Sequence, residues 1–332
     1  MILDPGLNLT LRPMKYPELY DFYKNSIKNH WTVEEVKLSS DAADLKYKMN
    51  ESQRHMIGRL VAFFATGDNI VAHNLVLNLY KHVNSPEARM YYGQQLKEEM
   101  VHVDQYLKLV EEYIPDEADR QAAFEAVDTI PSVKAKAQFC YKWMGSMNHI
   151  DQIRTNDDKK AFLKSLICFA ACVEGLFFMG AFAYVYFLRS KGLLPGLSEA
   201  TNWIFRDESM HMDFAFTIVD IIRREQPELF TEELEADVKE MMADCIEVEM
   251  QFAEDCLQHG VLGFAVNDMR QFLQYCADQR LVQMRYEPVY NVKNPFDFMA
   301  LQEMQSLTNF FEKTVSEYQT AVGGEVNFEE EF

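Results

Sequence analysis

The chain has 332 residues, of which 48% are hydrophobic, so it can bury a sizeable core in one large domain or two smaller ones. Its formal charge of −20 argues against binding to a nucleic-acid backbone, which requires clustered Lys and Arg. Gly (13) and Pro (10) are few, and strand-like alternation is hard to find, which predicts an all-helical protein.

The predicted helices follow one another almost without interruption. Prolines break up residues 1–49, and a helical pattern then runs from Asn50 to about Val83, where the turn signal Asn84-Ser85-Pro86 ends it. Further helices are predicted at 87–113, 118–128, 132–150, 156–190, 197–225, 231–259, 264–288 and 296–320. Residues 1–320 are expected to form one domain, and the acidic residues 321–332 a flexible tail.

One apolar run, from Ser165 to Leu188, is long enough to span a bilayer. Its single charged residue, Glu174, lies near the middle, where a charge in lipid is expensive and needs a partner. The rest of the chain has no second such run, and the mean hydropathy is −0.24. The run is therefore predicted to be a central core helix, and no membrane partner is expected.

The cysteines indicate the compartment. None of the six belongs to a C-x-x-C pair, and several lie in apolar helical patterns, where a free cysteine behaves as a small hydrophobic residue. The start of the sequence, MILDPGLNLTLRP, has no basic flank and contains two prolines, unlike a signal peptide. A reducing cytoplasm is the compartment that these features favour.

A pattern of possible metal ligands occurs twice, each time as an acid followed along the chain by Glu-x-x-His. The six residues are Asp68, Glu99 and His102 in the first half and Glu174, Glu208 and His211 in the second. One carboxylate on each of two helices and a Glu-x-x-His on each of two others is the usual ligand set of a dinuclear site in a four-helix bundle. All four acids share their helix faces with apolar residues, so the fold is expected to bury them.

Buried carboxylates must be paired, protonated or bound to metal. Few cationic side chains share these helix faces, so a pair of divalent ions would balance the four carboxylates. Carboxylate and imidazole ligands suit Fe or Mn better than metals that prefer thiolates. Glu98 lies about 100° around the helix from Glu99 and is expected to point elsewhere, and Asp104 and Asp213 are expected behind the ligands or at the surface.

With these residues, the chain resembles the small, radical-generating subunit of class I ribonucleotide reductase over nearly its whole length, from about Trp31 to Tyr318. The stretches that carry the resemblance are HWTVEEVKLSSDA (30–42), LVAFFATGDNIVAHN (60–74), EARMYYGQQLKEEMVHVDQY (87–106), VEGLFFMGAF (173–182), KGLLPGL (191–197) and IFRDESMHMDFAF (204–216). The resemblance implies a ferritin-like helical homodimer in which the six residues named above bind two metal ions per chain.

The resemblance also implies a radical site in the first half of the chain. Tyr106, one helical turn after His102, matches the tyrosine that holds the radical in the commonest subclasses. Three apolar residues match the pocket that shields this radical: Phe178, Phe182 and Ile204.

A route for the electron is implied as well. Trp31 and Asp207 match the path between the metal site and the surface, and Tyr318 matches the tyrosine that passes the radical to the large catalytic subunit. The acidic tail, which ends at Phe332, resembles the peptide that docks on that subunit, where ribonucleotides are reduced to deoxyribonucleotides. This chain alone is not expected to bind the nucleotide, because it has no Gly-rich phosphate loop.

The two halves differ around their motifs. Only the first half has a tyrosine four residues after its histidine, and only the second half has Asp207 directly before its Glu-x-x-His. This asymmetry favours a radical generator over an iron store.

One position, His73, departs from the family pattern, which has an acid or amide there. A related subclass has a lysine at this place and keeps its oxidising equivalent on a dimanganese centre, so the sequence leaves both Tyr106 and the metals as candidates for the oxidant store. It also leaves open whether the metals are Fe or Mn, and whether molecular oxygen or superoxide from an accessory flavoprotein oxidises them.

Two alternatives have the same fold. A ligand-binding oxidase or hydrocarbon monooxygenase would need neither Tyr318 nor the tail, and its oxidase-like members usually have Glu in place of Asp68. An iron-storage or purely structural bundle would not need Trp31, Asp207 and Tyr106 in these places.

Overall fold

The computed structural model describes residues 1–299, except for the side chains of residues 66–73 and 75–77. Its main helices are α1 (Pro17–Lys28), α2 (Glu51–Asn74), α3 (Pro86–Tyr113), α4 (Glu117–Phe124), α5 (Pro131–Met144), α6 (Asn156–Ser190), α7 (Pro195–Glu225), α8 (Glu232–Cys256) and α9 (Val266–Gln283). Among the described residues there is no β-strand, only an isolated bridge between Val261 and Phe264. The all-helical prediction is confirmed.

Residues Met1–Pro295 form one compact unit. A second unit begins at Phe296, and the structure describes only its first turn, a 3-10 helix at Asp297–Met299. The predicted domain boundary at residue 320, Tyr318 and the acidic tail all lie outside the described residues and stay predictions.

The long helix α6 is the centre of the core. Every residue from Ser165 to Leu188 is buried, and α6 packs against α5, α7, α8 and α9. Among the described residues, one helix, α6, is long and apolar enough to cross a membrane. Its apolar stretch is buried completely inside the protein. The prediction of a core helix is therefore confirmed.

Two of the main helices contain π-helical turns that the sequence did not predict. One, at Leu75–Tyr80, continues α2, and the other, at Cys168–Phe178, occupies the middle of α6. Gly175 lies in the second, where an added Cβ would be 3.0 Å from the Ala170 carbonyl oxygen and 3.1 Å from Cδ of Arg280. A π-turn changes the direction of the side chains around it, so this segment determines how α6 presents its buried acid, Glu174.

The start of α7 is held by an acid from a distant part of the chain. The Asp41 carboxylate accepts hydrogen bonds from the backbone N–H groups of Gly196 (2.9 Å) and Leu197 (2.8 Å), and the Tyr113 hydroxyl donates to it at 2.6 Å. A carboxylate stabilises a helix N-terminus by satisfying free N–H groups and opposing the helix dipole. This contact fixes the position of α7 against α3, and these two helices carry both Glu-x-x-His motifs.

Candidate metal centre

Three helices bring the predicted ligands together in the core. Helix α3 supplies Glu99 and His102, α7 supplies Glu208 and His211, and the π-helical part of α6 supplies Glu174. All five are at most 1% exposed. The sixth predicted ligand, Asp68, belongs to α2, but its side chain lies outside the described residues.

The ligand atoms converge on a small volume. One ligand atom each from Glu99, Glu174, Glu208 and His211 lies within 4.8 Å of the others. The Nδ1 atom of His211 is 3.2 Å from Glu99, 3.3 Å from Glu208 and 3.5 Å from Glu174. The Nδ1 atom of His102 is 3.2 Å from Glu208 and 3.5 Å from Glu99. Glu99 and Glu208 thus lie between the two imidazoles, where each would be able to contribute ligand atoms beside either histidine.

The donor atoms fit metal ions better than they fit one another. Both carboxylate oxygens of Glu99, one oxygen each of Glu174 and Glu208, and Nδ1 of His102 are buried and make no hydrogen bond of good geometry among the described residues, although they lie close to one another. Buried polar atoms without partners are costly and rare in native proteins. Several such atoms facing one space, all carboxylate or imidazole, are the donor set expected for Fe or Mn.

Burial and mutual charge shift the pKa values of the cluster in opposite directions. Burial raises the pKa of Glu174 well above its usual value, although His211 opposes this. Burial acts in the same direction on Glu99, but the charges of His211 and His102 lower its pKa to about 2. Burial favours neutral imidazoles, yet the acceptors and negative charges around them raise the pKa of both histidines well above the usual value. Protons on the imidazoles thus offset part of the buried negative charge, a role that bound cations would take over.

The far side of His102 leads towards the protein surface. Its Nε2 atom is 3.4 Å from Oδ2 of Asp207, and the Trp31 indole N–H donates to the same oxygen at 2.7 Å. The Trp31 ring stacks beside the His102 ring at 6.1 Å between centroids, and Trp31 is 5% exposed. Arg206 holds the other oxygen of Asp207 at 3.2 Å. Although burial opposes ionisation, hydrogen bonding and charge from His102 help lower the pKa of Asp207, so it stays ionised between the indole and the imidazole.

The far side of His211 also meets an acid, which the sequence interpretation did not assign to the site. The Nε2 atom of His211 is 3.1 Å from Oε2 of Glu98, and Glu98 is 5% exposed. Glu98 does point away from the cluster formed by Glu99, as its helical position requires, but it reaches the other nitrogen of a predicted ligand. The second half is therefore not alone in having an acid before its motif, since Glu98 and Asp207 occupy equivalent places.

Tyr106 lies in an aromatic pocket. It is 3% exposed, and its ring stacks on Phe64 with 4.6 Å between centroids and 2° between planes. Phe178 and Phe182 pack against Phe64 at 6.5 Å and 6.4 Å, and Ile204 is buried as well. The sequence interpretation assigned Phe178, Phe182 and Ile204 to this pocket but missed the stacking role of Phe64.

A buried ion pair lies behind this aromatic layer. The Lys136 ammonium group of α5 pairs with the Glu249 carboxylate of α8, and it lies 3.9 Å from the ring centre of Phe63, 4.1 Å from that of Phe252 and 4.7 Å from that of Phe177. Phe63 in turn contacts Phe178 of the Tyr106 pocket, at 5.7 Å between ring centroids. The pair therefore supports the rear wall of that pocket.

These features define a ferritin-like helical protein with a buried cluster of carboxylates and imidazoles. A family model described as "Ribonucleotide reductase, small chain" matches residues 8–295. The small subunit of ribonucleoside-diphosphate reductase from Nicotiana tabacum is 38% identical over 309 residues, which cover 93% of this chain and 88% of the relative. The chain therefore belongs to the family of ribonucleotide reductase small subunits.

Solved structures have the same fold. The ribonucleotide reductase R2 subunit from Clostridium botulinum superposes with a TM-score of 0.81 at 21% identity, over 92% of this chain and 93% of that one. A ribonucleotide reductase homodimer from Saccharomyces cerevisiae superposes with a TM-score of 0.76 at 26% identity, over 96% of this chain and 92% of the yeast chain. The ferritin-like prediction is confirmed, and the oxidase, storage and structural alternatives are not favoured.

Proposed function

We propose that this chain is the radical-generating β subunit of a ribonucleoside-diphosphate reductase and is active only with a large catalytic subunit. The observation that carries the proposal is the buried cluster, in which two imidazoles and three carboxylates face one space with several donor atoms left without partners. The proposed ligands of two metal ions, Fe or Mn, are Asp68, Glu99, His102, Glu174, Glu208 and His211. When bound, these ions supply oxygen activation and one-electron oxidation.

The protein's own residues would hold and deliver the oxidising equivalent. Tyr106 lies one helical turn from His102, and its aromatic surroundings exclude water, which would protect a radical on its ring. Whether the equivalent stays on Tyr106 or on the metals, the hydrogen-bonded series His102, Asp207 and Trp31 gives it a path of short contacts towards the surface. Asp207 keeps this path connected because one of its oxygens accepts from the indole and also contacts the imidazole.

Transfer to the partner subunit would involve the end of the chain. Tyr318 is proposed to pass the radical on, and the acidic residues 321–332 are proposed to dock on the large subunit. The proposed assembly is a homodimer of this chain with the large subunit in the cytoplasm, and a flavoprotein activator is proposed as a further partner. The homodimer is supported by the dimeric yeast relative.

Two variants test the proposal, one acting on docking and one on radical transfer. Deletion of residues 321–332 is expected to abolish binding to the large subunit and, with it, deoxyribonucleotide formation. Tyr318→Phe is expected to keep the affinity for the large subunit but lose turnover, because phenylalanine has no phenolic hydroxyl to oxidise. Both variants should keep the metal content of the wild type. Full turnover by either variant, or oxidase activity without any large subunit, would contradict the proposal.

A further inference from the structure

The two predicted ligand histidines are held from behind in a crossed arrangement. The Nε2 atom of His102, on α3, meets Asp207 of α7 at 3.4 Å, and the Nε2 atom of His211, on α7, meets Glu98 of α3 at 3.1 Å. In both cases the acid directly precedes the Glu-x-x-His motif of the opposite helix. Each motif helix therefore supplies ligands to the site and also the acid that supports the other helix's imidazole.

The physical need for such an acid is the same at both histidines. An imidazole that uses Nδ1 as a ligand carries its proton on Nε2, and this N–H needs an acceptor that also fixes the ring orientation. His211 is 0% exposed, so protein atoms must provide that acceptor, and Glu98 is the residue within hydrogen-bond distance of Nε2 in the described part of the chain. Gln94, one turn earlier on α3, donates to the other oxygen of Glu98 at 3.2 Å and keeps the carboxylate in place.

The two supporting acids differ in how much of their charge is shared. Asp207 also accepts from the Trp31 indole at 2.7 Å and contacts the Arg206 guanidinium, which is cationic, at 3.2 Å. Within residues 1–299, the hydrogen bonds recorded for Glu98 are those with Gln94, a neutral amide, and with His211. More of the negative charge of Glu98 therefore acts on its imidazole, and this makes Nδ1 of that imidazole the stronger electron donor.

We infer that Glu98 is a positioning residue that orients His211 and makes it the more strongly donating of the two imidazole ligands. The inference rests on the proposed function, in which His211 binds a metal ion. It makes the two imidazole ligands unequal, because Glu98 shares its charge with a neutral amide only, whereas Asp207 shares its charge with Arg206.

Metal titration of the apo-protein tests this inference apart from enzyme activity. Mn(II) is added in competition with a chromophoric chelator, and the affinities of the two ions are fitted separately. Glu98→Ala removes both the charge and the acceptor, whereas Glu98→Gln keeps an acceptor oxygen without the charge. Asp104→Asn is the matched control, because Asp104 is an exposed acid on the same helix.

The expected result is a graded loss at one site. Glu98→Ala should lower the affinity for one of the two ions by about 10- to 100-fold, and Glu98→Gln should lower it by a smaller factor. Asp104→Asn should have the wild-type affinity for both ions. Wild-type affinity for both ions in Glu98→Ala, or an equal loss at both sites together with a lowered urea midpoint of the apo form, would overturn the inference and leave the proposed function intact. A wild-type protein that binds no metal would overturn both.

Discussion

Replacement of Lys136 by Met is predicted to destabilise the protein in a strongly pH-dependent way. Lys136 is 3% exposed and its partner Glu249 is 0% exposed, so neither charge is compensated by water. Burial raises the pKa of Glu249 from its usual 4.5 to about 7, and Lys136 limits the rise. Methionine retains much of the side-chain volume between the aromatic rings but removes the only cation recorded next to this carboxylate in the described residues.

The direction and size of this change in stability follow from the linkage between folding and proton binding. A carboxyl group whose pKa is raised on folding stabilises the protein most below its unfolded pKa, and this stability is lost as the pH rises through the folded value. In the wild type, the pKa of Glu249 rises from 4.5 in the unfolded chain to about 7 in the folded protein. The free energy of unfolding therefore falls by roughly 3 kcal/mol as the pH rises to about 7, and this decrease ends there. Without Lys136 the Glu249 carboxyl group stays protonated to higher pH. The decrease in the free energy of unfolding then continues and reaches roughly 5 kcal/mol at about pH 8.5. The variant should therefore be about 2 kcal/mol less stable than wild type at that pH and nearly equal to it at about pH 5.5.

Urea unfolding of the apo-protein, followed by circular dichroism at both pH values, measures this difference. Other groups that titrate, including the cluster histidines, are the same in both proteins and cancel. The double variant with Glu249→Gln is the control, because a neutral amide removes the dependence on pH. Equal destabilisation of Lys136→Met at both pH values, or none at the higher one, would refute the reasoning.

Three further substitutions test other parts of the account. Tyr106→Phe should abolish any tyrosyl signal in electron paramagnetic resonance without changing the metal content, and wild-type activity in this variant would exclude Tyr106 as the oxidant store. Trp31→Phe removes the 2.7 Å hydrogen bond to Asp207 and should lower kcat with the large subunit at unchanged metal content; an unchanged kcat would argue against the route. Gly180→Ala places a Cβ 2.9 Å from Oε1 of Glu249 and should cost about 1 to 3 kcal/mol in urea unfolding, whereas an unchanged midpoint would show that the carboxylate moves freely.

Helical periodicity predicted the parts of the site that depend on one helix at a time. Glu99 and His102 lie one turn apart on the buried face of α3, so their convergence follows from sequence spacing alone. The burial of α6 was predictable for a similar reason, because its apolar run has no polar face to expose.

Contacts that depend on how helices cross were not predictable. The position of Glu98 on α3 excludes it from the face that carries Glu99, but spacing does not reveal that α7 places the far nitrogen of His211 beside it. The π-helical turn around Glu174 was missed because its apolar residues fit an ordinary α-helix equally well, and the close approach of Arg280 to Gly175 depends on tertiary packing.

The most direct test of the central claim is the metal content of active protein. Elemental analysis of this chain, isolated with its large subunit and turning over ribonucleotides, should give two Fe or Mn ions per chain. Replacement of Glu99 and Glu208, the carboxylates between the two imidazoles, by Ala should reduce that number towards zero and abolish turnover together. A metal content near zero in protein that still turns over would contradict the account.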